Sequence, residues 1–160
     1  VTVAYIGFGS NLGDPTGQIA HAREAVSGLP ESEEVAFSSL YRSDPMGPPD
    51  QPRYINAVMA LRTRLPPFTL LNCLQKIEND QGRVRTGERW GPRTLDLDIL
   101  LYGRACIRTQ TLTIPHYGMA QRPFVLYPLA EIAPETLLIP GQGCLAMLLR
   151  NCPKQGVERV

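Results

Sequence analysis

The chain of 160 residues is 43% hydrophobic and 19% charged, the proportions of one ordinary globular domain spanning 1–160 with enough length to bury a substantial core. Sixteen basic residues against fifteen acidic leave a net charge of +1, which argues against a surface built to hold nucleic acid. No apolar run approaches the roughly 20 residues of a membrane span and no charged-then-apolar leader opens the chain, so a cytoplasmic protein is expected.

Val1–Phe8 is rich in β-branched and aromatic residues and reads as a strand, followed by the turn-rich Gly9-Ser10-Asn11-Leu12-Gly13. Asp14 and Pro15 suit the cap and first position of a helix with Ile19, Ala22 and Val26 on one stripe, ended by Gly28 and Pro30. Val35, Phe37, Ser39 and Tyr41 recur at period two and predict a second strand. Four prolines between Arg42 and Pro52 leave only a long loop, a feature that is often functional. Tyr54–Thr63 predicts a third strand. Pro66 and Pro67 open a second helix with a core stripe of Phe68, Leu71, Leu74 and Ile77, ending near Asp80. A polar, arginine-rich stretch runs to Thr94, and Leu95–Tyr102 predicts a fourth strand. Beyond it Leu112–Tyr117 is extended, and Pro123–Glu131 and Cys144–Leu149 read as helical. The order strand-helix-strand-strand-helix-strand is the split βαβ arrangement of α+β, ferredoxin-like domains, with two helices on one face of a four-stranded antiparallel sheet and additional C-terminal elements.

Asp96 and Asp98 stand at i and i+2 on the fourth strand, so both carboxylates project from one face while Leu95, Leu97 and Ile99 project from the other. Aspartate is a poor strand former, and two neighbouring carboxylates need compensating positive charge. Arginine partners such as Arg93 or Arg83, or a hard divalent cation, would supply it. Fourteen of the sixteen basic residues are arginine, and Arg83, Arg85, Arg89 and Arg93 fall just upstream among Gly82, Gly87 and Gly91. Arginine forks with carboxylate-held magnesium are the pattern of phosphoryl-handling sites. Neither a Walker-type loop nor a G-x-G-x-x-G fingerprint occurs. Tyr54 and Asn56 form another i, i+2 pair, suited to a flat heterocycle or to an ordinary sheet face. Phe124 and His116 read as structural residues by themselves, and Trp90 as a lid or a packing anchor. Cys73, Cys106, Cys144 and Cys152 lack metal-site spacing and are expected as reduced thiols.

Arg89-Trp90-Gly91-Pro92-Arg93-Thr94-Leu95-Asp96-Leu97-Asp98-Ile99-Leu100 resembles the central motif of the 6-hydroxymethyl-7,8-dihydropterin pyrophosphokinases of folate synthesis. The resemblance extends through Gly9-Ser10-Asn11-Leu12, Tyr41-Arg42-Ser43, Gly47-Pro48, Asp50-Gln51-Pro52, Tyr54-Ile55-Asn56-Ala57, Gly82-Arg83-Val84-Arg85, Ile114-Pro115-His116 and Arg122-Pro123-Phe124-Val125-Leu126-Tyr127-Pro128-Leu129. It implies a ferredoxin-like core and transfer of the terminal pyrophosphoryl group of ATP to the pterin's hydroxymethyl oxygen, releasing AMP. It implies two magnesium ions on Asp96 and Asp98, with Arg83 and Arg93 supporting transfer; on physical grounds Asp98 with its metal is the expected assistant to the hydroxyl. The pterin would lie between Tyr54 and Phe124, its polar edge meeting Asn56 and the stretch of Ser43, Pro45 and Met46. Gln75, Glu78, Arg85, Trp90, Ile99, Thr113, His116, Tyr117 and Arg122 would line the ATP site. For His116 and Phe124 this replaces the structural reading.

Thr86 and Thr111 stand where some relatives carry a basic residue, with Arg108 or Arg85 as substitutes, and Asp44 is a variable point. The tail after Ile139 matches weakly and is assigned no function. The expected partners are the two small substrates, without nucleic acid or membrane, on a monomer. An RNA-binding sheet, the competing class, would need an RNP-type aromatic pattern and a basic excess that the chain lacks. A non-catalytic relative would not need Asp96, Asp98, Arg83 and Arg93 intact.

Overall fold

The computed structural model describes residues 1–44, 53–86 and 95–160, with the backbone alone over 82–86. The chain opens on strand β1 (Thr2–Ser10). Helix α1 (Pro15–Ser27) starts where the capping pattern puts it: Asp14 Oδ1 accepts from the Gly17 N–H at 3.2 Å, and Gly28 closes the helix. Its Ile19, Ala22 and Val26 are buried as expected.

The second strand differs from expectation. It is two strands, β2 (Ser32–Phe37) and β3 (Tyr41–Ser43), interrupted at 38–40. The Ser38 hydroxyl accepts from the Val58 N–H at 2.9 Å and donates to the Ser39 carbonyl at 2.8 Å, so a side chain takes over a ladder position. The Ser39 N–H turns instead to Glu131 Oε1 at 2.8 Å. A register shift between Glu34 and Ala36 also turns Val35 outward, where it is 48% exposed.

Strand β4 (Tyr54–Thr63) has the expected bounds. Helix α2 (Pro67–Thr86) runs past its expected end near Asp80, into the arginine-rich stretch. Gln81 anchors that extension through Nε2 to the Gln18 carbonyl of α1 at 3.2 Å, and arginine is itself a good helix former. Of the expected core stripe Leu74 is fully buried and Leu71 and Ile77 pack against the core, but Phe68 is 45% exposed and Leu70 is buried instead. At 3.6 residues per turn Phe68 lies about 160° around the helix from Leu70.

Strand β5 (Asp96–Tyr102) forms one edge of the central sheet. The ribbon of β6 (Ile107–Arg108) and β7 (Thr113–Ile114) follows, then α3 (Pro123–Ile132), the ribbon of β8 (Leu138–Ile139) and β9 (Gly143–Cys144), α4 (Leu145–Arg150) and β10 (Val157–Arg159). The sheet order is β10-β3-β4-β1-β5, with β2 also on β4, and all its pairings are antiparallel. The two halves of the divided strand share one edge of β4: β3 pairs with Tyr54–Asn56 and β2 with residues from Met59 to Thr63.

Both faces of the sheet carry a core. One packs Ile6, Phe8, Met59, Leu61, Leu97 and Ile99 with α1 and α2. The other packs Tyr5, Ala60 and Leu101 with Leu126 and Leu129 of α3 and Leu145 of α4. Alternation along β1 and β4 sends successive residues to these two layers, and each fully buried leucine contributes about 1.5–3 kcal/mol. The C-terminal helices are therefore a third layer and not an appendage. They cover the second face toward Tyr5 and leave its Gly9 end open to a cavity. That uncovered area is where Asp96 and Asp98 project.

Candidate active site

Two glycines make the floor. Gly9 of β1 pairs with Asn56 of β4 on one side and Asp96 of β5 on the other, and Gly7 pairs with Val58 and Asp98. Because the central strand contributes no side chain, a cavity of about 190 Å³ opens between the flanking rows. That is below the ~300 Å³ at which drug-sized sites begin and suits one small ring system. A Cβ on Gly9 would lie 3.3 Å from Asn56 Nδ2 and 4.0 Å from the Tyr54 ring, directly in this space.

The walls come from different elements. Tyr54 and Asn56 rise from β4, Ser43 and Asp44 from the end of β3, and Phe124 from the first turn of α3. Asn56 is buried, and its Oδ1 accepts from the Ser43 hydroxyl at 2.6 Å. That bond fixes the carboxamide plane and leaves Nδ2 as a donor beside Gly9. Burial pushes the Tyr54 hydroxyl above its ordinary value, and the Asp96 carboxylate acts in the same direction. A neutral phenol with an apolar ring face is what remains at this wall.

His116 and Arg122 close the side nearest β5. The His116 N–H donates to the Leu100 carbonyl at 3.0 Å, tying the segment after β7 to β5. Its Nδ1 accepts from the Gly118 N–H at 3.3 Å, which leaves Nε2 as the ring's other position. Burial lowers the imidazole below its ordinary value, and Asp98 opposes this while Arg122 adds to it. A Cβ on Gly118 would stand 2.7 Å from Arg122 Nε, so only glycine lets the guanidinium fold back here. Arg122 Cζ lies 5.5 Å from the Tyr117 ring centre and 5.7 Å from that of Phe124.

Asp96 and Asp98 both line the cavity, while Leu95, Leu97 and Ile99 are buried in the opposite core, as the alternation requires. The Leu97 N–H between them donates to Glu78 Oε2 at 2.8 Å, fastening β5 to α2. Among the described residues no group of three or more His, Cys, Asp or Glu gathers into a complete metal cage. Two carboxylates over a glycine floor fit magnesium, which binds through one or two carboxylates and shares its remaining positions between water and substrate phosphates.

The residues 5–134 match the family model of 7,8-dihydro-6-hydroxymethylpterin-pyrophosphokinase, HPPK. The chain belongs to this family. Similar relatives include the 2-amino-4-hydroxy-6-hydroxymethyldihydropteridine pyrophosphokinases of Pseudomonas aeruginosa, 54% identical over 98% of this chain and 95% of that one, and of Haemophilus influenzae, 52% identical over 92% and 91%. The folic acid synthesis protein of Schizosaccharomyces pombe is 38% identical over 98% of this chain but only 21% of its own length. Among solved structures, an HPPK-DHPS in complex with substrates superposes with a TM-score of 0.72 at 12% identity, covering 94% of this chain. Wild-type HPPK-DHPS of Plasmodium falciparum gives 0.70 at 12% identity over 99%. The chain spans less than half of those two structures, 45% and 47% of their length, and at that identity the likeness concerns the fold. It supports a mixed α+β domain of the HPPK type.

Of the expected site residues, Ser43, Tyr54, Asn56, Asp96, Asp98, His116, Arg122 and Phe124 converge on the one cavity. Tyr117 stacks on His116, rings 4.8 Å apart, and is 74% exposed at the edge. Gln75 and Thr113 are exposed on α2 and β7, away from the cavity lining, and Glu78 faces the β5 backbone. The Ile99 side chain belongs to the core of the opposite face. Pro45, Met46, Trp90 and Arg93, and the side chains of Arg83 and Arg85, lie outside the described residues. Gly9, expected in the turn after the first strand, lies inside β1, and neither it nor Gly7 was expected to line the site. Their signal was the i, i+2 spacing of two glycines inside a strand, a mark of close approach to its face.

Proposed function

We propose that this HPPK-family chain transfers the pyrophosphoryl group of ATP to the hydroxymethyl group of 6-hydroxymethyl-7,8-dihydropterin, releasing AMP, as a step of folate synthesis. The observation that carries the reading is the pairing of Asp96 and Asp98 with Tyr54, Asn56 and Phe124 around one small cavity, within a family match over residues 5–134.

The pterin ring lies between Tyr54 and Phe124, where stacking on aromatic faces supplies orientation. Asn56 Nδ2 and the stretch of Ser43, Pro45 and Met46 meet its polar edge. The hydroxymethyl oxygen then attacks the β-phosphorus in line: the new O–P bond forms as the bond from that phosphorus to the α-phosphate oxygen breaks, and AMP leaves. The hydroxyl proton leaves late, to solvent, with Asp98 and the metal it would hold assisting its loss. Asp96 and Asp98 would hold two magnesium ions, which when bound neutralise the phosphate oxygens that shield phosphorus. Arg83 and Arg93 clamp the transferring group, a role suited to the guanidinium fork. Gln75, Glu78, Arg85, Trp90, Ile99, Thr113, His116, Tyr117 and Arg122 form the ATP side, Ile99 through its backbone.

The strand order β5-β1-β4 with β2 and β3 beyond supports a ferredoxin-like core, and residues 1–160 act as one catalytic domain. We place the protein in the cytoplasm as a monomer. No helix among the described residues is long and apolar enough to cross a membrane. The decisive experiment supplies ATP, magnesium and the hydroxymethyl dihydropterin and identifies the products. AMP with pterin pyrophosphate is expected; ADP would mean single phosphoryl transfer and overturn the reading.

A further inference from the structure

We propose that the carboxy-terminal strand is a working part of this site, with Glu158 as the positioning residue that holds the Ser43 and Tyr54 wall of the cavity in place. The proposal rests on the pterin reading above.

Strand β3 is only three residues long and carries Ser43 at its end. Its outer edge is covered by β10, with Val157 opposite Ser43, Glu158 opposite Arg42 and Arg159 opposite Tyr41. The pairing extends past both ends: the Asp44 N–H donates to the Gly156 carbonyl and the Val160 N–H to the Leu40 carbonyl, each at 2.9 Å. The tail therefore locks β3 against β4 over its whole length.

Side chains reach across this pairing. Glu158 Oε1 accepts from Arg42 Nη1 at 3.2 Å and from Arg53 Nη1 at 2.9 Å. Arg53 Nε lies 3.2 Å from Asp44 Oδ1. Arg42 immediately precedes Ser43, and Arg53 immediately precedes Tyr54. Those two followers are cross-strand partners, and both line the cavity. One carboxylate oxygen on β10 thus ties together the backbones from which the wall rises. The two arginines in turn hold the Glu158 carboxyl below its ordinary value.

Exposed ion pairs contribute little to global stability, and all four side chains here are at least 39% exposed. Their effect lies in where they act. Ser43 fixes the Asn56 carboxamide, and small displacements of a positioning group are costly to a bound substrate. Without Glu158, Arg42 and Arg53 repel each other across neighbouring strands, with Asp44 as the remaining anion among these four residues.

The test is Glu158→Gln in the full chain, which keeps size and one acceptor but removes the charge. The expected result is a rise of about three- to ten-fold in KM for the hydroxymethyl dihydropterin, with kcat, the KM for ATP and Tm close to the parent. The parent's pterin KM should also rise with potassium chloride, and that salt dependence should flatten in the variant because the network is screened. Phe124→Ala is measured beside it. If Phe124→Ala raises the pterin KM and Glu158→Gln does not, the clasp is overturned and the pterin reading stands. If neither raises it, the pterin reading fails and takes the clasp with it. An equal rise in both substrates' KM together with a lowered Tm would make Glu158 merely structural, and would overturn the proposal too.

Discussion

Ser43 and Asn56 are joined within the cavity wall, the serine hydroxyl donating to the carboxamide oxygen at 2.6 Å while both residues are buried. The bond spans β3 and β4, so a residue of one strand sets the orientation of a recognition group on the next. Removing it frees the Asn56 amide to rotate and strands a buried acceptor. Ser43→Ala should raise the pterin KM about ten-fold, corresponding to ~1.4 kcal/mol, and lower unfolding stability by about 1 kcal/mol. Steady-state kinetics and urea unfolding measure the two effects. An unchanged KM would mean that the carboxamide does not meet the substrate.

The glycine floor makes a differential prediction. Gly9→Ala puts a methyl group 3.3 Å from Asn56 Nδ2, on a group with a required orientation. In Gly7→Ala the new methyl meets the buried, apolar Leu100 side chain at 3.3 Å and not a hydrogen-bonding group. Alanine is the better strand residue in both places, which offsets part of the crowding, so any fall in Tm should be small. Calorimetric binding should show a loss of about ten-fold or more in pterin affinity for Gly9→Ala and a clearly smaller loss for Gly7→Ala. Equal losses would show that the floor is not locally selective.

Asp96 and Asp98 should separate metal dependence from folding. Asp96→Asn and Asp98→Asn keep shape while removing the charge that a divalent cation needs. Each should reduce turnover by roughly 100-fold or more and raise the magnesium concentration for half-maximal activity, with far-UV circular dichroism unchanged. Chelation with EDTA should abolish parent activity reversibly. Full activity in both variants would remove the carboxylates from the metal role.

A pH prediction comes from the opposite layer. Glu34 Oε1 and Oε2 accept from Arg23 Nε and Nη2 at 2.8 and 2.9 Å, and the Ser27 hydroxyl adds a third bond. The Arg23 bonds, against the opposing effect of burial, hold the carboxyl below its ordinary value of 4.5. A depressed carboxyl stabilises the fold above its unfolded-state value and loses that contribution as pH falls through the folded value. Because Arg23 is 47% exposed, the contribution is at most about 1 kcal/mol. Glu34→Gln should be less stable than the parent at neutral pH, and the gap should close as pH falls from about 5 to about 3. Chemical denaturation at a series of pH values checks this, and a gap that stays constant into acid would contradict it.

Elements whose signals are local were legible without the tertiary structure. The Asp14 cap and the Ile19, Ala22, Val26 stripe defined α1, and the bounds of β4 followed from its apolar run. Strict alternation put Asp96 and Asp98 on one face with Leu97 on the other. Most of the cavity's side chains were legible for the same reason, since i, i+2 spacing alone sends Tyr54 and Asn56 to one side of a strand. What tertiary structure decided was which layer covers each face and where a ladder breaks. The second strand breaks because the Ser38 hydroxyl takes the Val58 N–H and the Ser39 N–H turns to Glu131. Phe68 is exposed because α2 turns Leu70 toward the sheet. The polar tail Val157–Arg159 has no apolar periodicity of its own, so it gave no local sign of being a strand. It becomes one because the unpaired edge of β3 supplies its hydrogen bonds, and the charges of Arg42 and Arg53 meet Glu158 only once distant parts of the chain are brought together.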